Sequence, residues 1–172
     1  VTMKKLCILI FLIIAFLTLA IPSKGADNNK EVDSMLVSAE SFFKMMKERN
    51  YARIWLLLSH ASQNSIIDDT YKNIMYHFKA KGKEVTYSKG EIRNNFITGG
   101  TIAQAYWDSY LTVFNPDMVL EYSKWEIGKV GKERAQINII YRKAERPAVI
   151  QMYKEDNVWR VGLRETFRSP KR

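Results

Sequence analysis

The chain has 172 residues, 47% hydrophobic and 26% charged, with 27 Lys and Arg against 18 Asp and Glu for a net charge of +9. That balance excludes an intrinsically disordered chain and suits one globular domain. A single cysteine excludes a disulfide framework, and with only two histidines beside it no metal-ligand spacing arises.

Lys4 and Lys5 precede an apolar run from Leu6 to Ile21, and Pro22-Ser23-Lys24-Gly25-Ala26 makes a small-residue exit. This is the pattern of a secretory signal, so residues 1–25 are expected to be a signal peptide, cleaved after Gly25 or else after Ala26. The mature protein is then exported, periplasmic or secreted. An uncleaved membrane anchor is the alternative, because the run is slightly long for a signal, though short of the about 20 apolar residues of a spanning helix; membrane contact is expected only in that case. Cys7 precedes the apolar run, whereas a lipid-acceptor cysteine would follow it. Cleavage removes this lone cysteine together with Lys4, Lys5 and Lys24.

Residues 26–33 read as a polar, flexible lead-in, residues 34–168 as a single domain, and 169–172 as a basic tail. The first helix is expected from Ser34 to Glu48, with Met35, Ala39, Phe42, Phe43 and Met46 on one stripe. Asn50 is placed to cap a short second helix marked by Tyr51, Ile54, Trp55 and Leu58. Ser59 to Asn64 reads as a polar loop holding His60. Ser65 to Asp68 resembles a capping box for a third helix carrying Ile67, Tyr71, Ile74, Met75 and Phe78, which stops near Gly82. Lys79 to Arg93 is basic and glycine-punctuated, with a brief extended piece at Val85-Thr86-Tyr87. Gly99-Gly100 is a hinge, and Ile102, Ala103, Tyr106, Tyr110 and Val113 suggest a fourth helix ended by Asn115-Pro116.

From Met118 the period becomes two. Met118, Leu120 and Tyr122 share one face, and a bulge or sharp bend near Ser123-Lys124 would bring Trp125 and Ile127 to the same side. A strand follows with Ala135, Ile137, Ile139 and Tyr141 alternating with Gln136, Asn138, Ile140 and Arg142. The last hairpin spans Ala148 to Glu165 about the turn Asp156-Asn157, both residues that tolerate positive φ. Its register sets Glu155 opposite Val158, Lys154 opposite Trp159, Met152 opposite Val161, Ile150 opposite Leu163 and Ala148 opposite Glu165. The fold class is therefore α+β, N-terminal helices on a four-stranded antiparallel sheet.

Two stretches, Ser41 to Trp55 as helix-break-helix and Glu155 to Val161 as a closing strand, resemble the nuclear-transport-factor-2-like superfamily. The resemblance implies a strongly bent sheet closed into a cone by helices. Its members include isomerases, dehydratases, polyketide cyclases, carrier-like binding proteins and accessory domains of cell-wall enzymes, so activity does not follow from fold. It also implies that chemistry, where present, sits inside the cone. There a base works beside tyrosine or acid donors.

The expected inward face of the last strands is Ala135, Ile137, Ile139, Tyr141, Ala148, Ile150, Met152, Trp159, Val161 and Leu163, with one polar tip and no acid. This absence argues against catalysis. His60, Asp108 and Tyr141 are the weak catalytic candidates, with Asp68 and Asp69 explained by a helix first turn and His77 placed outside its helix stripe. Trp55, Tyr71, Trp107, Tyr110, Trp125 and Trp159 are either core or the lining of an apolar pocket. The lysines and arginines of 79–93 and of 164–172 suit a solvated face, an anionic lipid or a cell-wall polymer rather than nucleic acid. The outer sheet face, with Gln136, Asn138, Ile140, Val149, Gln151 and Tyr153, could pair with a second copy.

The expectation is thus a bacterial-type exported, non-catalytic binding or accessory module without cofactor or metal. Its partners would be a small apolar ligand, an envelope protein or itself. The alternatives are a cofactor-free isomerase or dehydratase-like enzyme with a His or Asp base, and a membrane-tethered interaction domain.

Overall fold

A computed structural model describes residues 24–84 and 86–167. Residues 1–23 of the expected signal, with Cys7 among them, Val85, Arg168 and the expected basic tail lie outside the described residues. The chain divides into two compact units, Val1–Glu31 and Val32–Arg172. The second carries the sheet.

Helix α1 runs Lys24–Lys47, so the stretch expected as a loose lead-in is helical. Its predicted stripe is buried: Met35, Ala39, Phe42 and Phe43 at 0% exposure and Met46 at 1%. Each such large side chain contributes about 1.5–3 kcal/mol on leaving water. The helix ends where Arg49 enters the left-handed region (φ 55) and the Asn50 amide reaches back to the Met45 carbonyl at 2.9 Å, satisfying a terminal acceptor. Asn50 then caps α2, Tyr51–Leu56.

Helix α3 starts earlier than expected, at His60, and runs to Ala80. The presumed loop holding His60 is its first turn, and Ser65 lies inside it with its hydroxyl on Asp69 at 3.4 Å. Ser59 is the true cap, its Oγ accepting from the Ser62 amide at 3.2 Å. A further acceptor comes from far along the chain: both Glu155 carboxylate oxygens take the His60 amide. Local sequence could not reveal that partner.

Residues 89–93 of the basic, glycine-punctuated stretch open a helix that was not expected, α4, Lys89–Thr98. Ser88 and Glu91 make a reciprocal capping box, and Ile92 and Phe96, one turn apart, are fully buried. Gly99 ends α4 at φ 67, and α5, Thr101–Leu111, starts at once. Gly100 has no side chain with which to cap it; Asn95 reaches over from α4, its Oδ1 accepting the Ile102 and Ala103 amides at 2.9 and 3.1 Å.

The strand expected at Met118–Tyr122 is instead α6, Pro116–Leu120, with Asn115 as cap and proline in its first turn. The parity change expected to need a bulge or sharp bend near Ser123-Lys124 is the helix-to-strand transition, where the chain turns and bends at Glu121 and Tyr122. Four strands follow: β1 Ser123–Val130, β2 Arg134–Tyr141, β3 Ala148–Glu155 and β4 Val158–Gly162. They pair in chain order as one open antiparallel sheet, and the irregularity lies between Ile127 and Val130.

Both turn residues of the last hairpin have positive φ, 52 at Asp156 and 61 at Asn157, as a mirror-image two-residue turn requires. The register holds from Glu155–Val158 through Gln151–Gly162. Beyond Gly162 the chain leaves the sheet as α7, Leu163–Phe167, so the pairs expected of Leu163 and Glu165 do not form. Ala135, Ile137, Ile139, Ile150, Met152, Trp159, Val161 and Leu163 are buried; Tyr141 is half-buried and Ala148 exposed. The fold is α+β, with helices on one face of the sheet.

The outer edge of β4 is sealed by the segment after α2. Leu58 bridges Val161 in parallel, with Ser59 donating to the Val161 carbonyl at 2.9 Å and Val161 donating to Leu57 at 2.8 Å. Arg160 fixes the same segment through the Leu56 carbonyl at 2.6 Å.

Candidate functional site

The core holds aromatics against one another. Trp55 stacks near Phe96 at 4.9 Å, and Trp107 meets Tyr106, Tyr110 and Phe42 at 5.1, 5.9 and 6.4 Å, mostly edge to face, the preferred aromatic geometry. Trp55, Trp107 and Trp159 are at most 3% exposed. Tyr71 is half-buried with the Lys89 ammonium 5.7 Å from its ring centre. Tyr110 and Trp125 border two separate small clefts. None of the four described clefts gathers the six aromatics. The buried polar residues are Ser38, Ser59, Ser62 and Gln63, so no described acid or histidine lies in the core.

The catalytic candidates lie apart. His60 tops α3 with its side chain 55% exposed and Nδ1 3.3 Å from Glu155 Oε2. Asp108 faces outward, clamping the α1–α2 break by accepting from Arg49 Nη1 at 2.7 Å and from the Tyr51 hydroxyl. Burial first, and that hydrogen bond second, push the Tyr51 phenol up from its ordinary pKa. Tyr141 stands at the end of β2.

Around Tyr141 the chain forms a cleft of about 840 Å³ between the end of β2 and the α6–β1 connection. Its apolar walls are Met118, Tyr122, Ile140 and Tyr141, and its charged residues are Glu121, Lys124, Arg142 and Lys143. Glu121 accepts from Lys47 at 2.6 Å, and Lys124 pairs with Glu126 at 2.8 Å. Among the described residues no carboxylate pairs with Arg142 or Lys143. Tyr122 is 61% exposed, a large ring left open to water.

Asp117 and Glu121 both bond Lys47, and those hydrogen bonds raise the Lys47 pKa. They tie α1 to the two ends of α6, which sets the cleft floor. Ser123 Oγ to the Met118 carbonyl at 2.6 Å and Trp125 Nε1 to the Val119 carbonyl at 2.9 Å hold the turn from α6 into β1. Sequence reasoning singled out Tyr141 here and read Met118 and Tyr122 as strand; the exit from Asn115-Pro116 was the signal for a helical turn.

Two further clefts, of about 420 and 310 Å³, meet at Asp69 and Tyr106 between α3 and α5. Burial, with the Asp69 charge adding to it, pushes the Tyr106 phenol up to about 12. Burial likewise raises Tyr110. Among the described residues no three metal-ligating side chains gather, and no helix is long and apolar enough to cross a membrane.

Compared with protein-family models, with curated proteins and with solved structures, the chain has no match.

Proposed function

We propose that this is an exported, non-catalytic binding module whose ligand is an amphipathic anion, a hydrocarbon body carrying a carboxylate or phosphate, held in the cleft around Tyr141. One observation carries the reading: apolar walls stand beside Arg142 and Lys143, two cations without a carboxylate partner among the described residues. An apolar body gains about 25 cal/mol per Å² withdrawn from water against Met118, Tyr122, Ile140 and Tyr141. The guanidinium fork of Arg142 and the point charge of Lys143 orient the head.

Calorimetry with a long-chain fatty acid and its uncharged alcohol tests this. The acid is expected to bind more tightly, and Arg142→Ser with Lys143→Ser to weaken it about tenfold, toward the alcohol. Equal binding of the two, or none, overturns it.

The same reading includes the bent, cone-like form of the α+β fold found in the nuclear-transport-factor-2-like superfamily. It is supported by the α1–α2 break and by the closing hairpin under the helices. The sheet curvature measured in a crystal structure tests it.

A second reading, proton transfer by a carboxylate base with a tyrosine donor, moves from His60 and Asp108 to Asp69 and Tyr106, which border both α3–α5 clefts. It would show as isomerase or dehydratase turnover that Asp69→Asn abolishes while fatty-acid binding persists.

A further inference from the structure

The two edges of the sheet differ. The β4 edge is occupied by residues 57–59, whereas no described strand lies beyond β1. Helix α6 packs over both β1 and β2, while Lys124, Glu126, Ile127, Lys129 and Val130 of β1 are exposed. An exposed edge carries unpaired backbone donors and acceptors and is ordinarily blunted by charge. On β1 the charges have opposite sign and sit two residues apart. Lys124 and Glu126 share the face away from the helices, opposite Ile140 and Asn138, and pair with each other at 2.8 Å while 73% and 44% exposed.

That spacing is self-complementary in one register. When two copies of β1 run antiparallel about Trp125, Lys124 of each stands opposite Glu126 of the other, twice by symmetry. On the helix-side face Trp125 then meets Trp125, and Ser123 meets Ile127, which is 39% exposed. Neighbouring registers lose this match. Centring on Lys124 sets lysine against lysine, centring on Glu126 sets glutamate against glutamate, and centring on Ile127 leaves Glu126 opposite Gly128. Opposite charges directly across an antiparallel pair stabilise it and like charges destabilise it.

We infer that the chain forms a two-fold dimer by antiparallel pairing of β1 with β1 about Trp125, which makes one continuous eight-stranded sheet from the two four-stranded sheets. The contact is isologous, as closed dimers are, and lies on a different surface from the outer sheet face.

Light scattering on the full chain over a concentration series tests it. The wild type is expected to dimerise, and Lys124→Glu and Glu126→Lys, taken singly, to weaken the dimer about tenfold. A mixture of the two variants restores association, because one strand then carries only acids and the other only bases at the paired positions. That rescue cannot arise within one chain, since each variant has lost its internal Lys124–Glu126 pair. A monomeric wild type, variants that associate like the wild type, or a mixture no tighter than its components overturns the inference. Association through residues 1–25 would give the second of these results, and association through the outer sheet face, which Lys124 and Glu126 share with Asn138 and Ile140, would give the third, because face packing does not set the two positions opposite each other.

Discussion

Glu155 and His60 join the end of β3 to the start of α3: the carboxylate accepts the His60 amide at 2.9 and 3.2 Å. A carboxylate at a helix N-terminus satisfies an orphan donor and opposes the helix dipole. Its side chain is 22% exposed and also faces Arg160 Nε at 3.7 Å. Glu155→Ala is therefore expected to lower unfolding free energy by about 1–2 kcal/mol, with Glu155→Gln falling between. Urea denaturation measures both.

A methyl group on Gly100 would sit 2.6 Å from Asn95 Nδ2 and 2.9 Å from Asn95 Oδ1. Asn95 would have to leave, and with it the acceptor for two amides of α5. Gly100→Ala and Asn95→Ala are each expected to cost about 1–3 kcal/mol. The double variant should cost well under their sum, because both remove the same cap. A double-mutant cycle by chemical denaturation decides it; full additivity would separate the two residues.

Glu91 is held below the usual carboxylate range, first by the Ser88 amide and then by the Ser88 hydroxyl. A depressed folded pKa adds stability above the unfolded value, near 4.5, and loses it as pH falls through the folded one. The thermal midpoint of Glu91→Gln is expected to lie below that of the wild type at neutral pH. The gap should close in acid. A gap that persists at low pH would show that Ser88 and Glu91 do not act through charge.

Tyr106 runs the other way. Its phenol is raised to about 12, so folding favours the protonated ring. That contribution is complete below the unfolded value, about 10, and is lost as pH rises through about 12. Phenolate absorbance during an alkaline titration should lose one late step in Tyr106→Phe, while the late step of Tyr110, likewise raised by burial, remains.

The elements legible in the sequence were those fixed by near neighbours. The stripe from Met35 to Met46 needs only helical spacing, and the register of β3 on β4 needs only Asp156 and Asn157. Helix α4 was hidden although its signals were local, because lysines and Gly90 obscured Ser88, Glu91, Ile92 and Phe96. The start of α3 was hidden for another reason: Glu155, which accepts from His60, lies 95 positions away. The cleft suffered most. Tyr141 was in view, but Met118 and Tyr122 alternate like a strand while serving as the end of a helical turn, so the groups facing Tyr141 could not be gathered.

Arg160 and Leu56, 104 positions apart, carry a consequence for biosynthesis. The segment after α2 completes its backbone bonds only on β4, which leaves the ribosome about a hundred residues later. Non-local closure of this kind makes assembly slow and late. The early helices must wait half-seated during translation, and a chain stopped before Val158 is expected to be cleared by quality-control proteases rather than persist as a helical fragment.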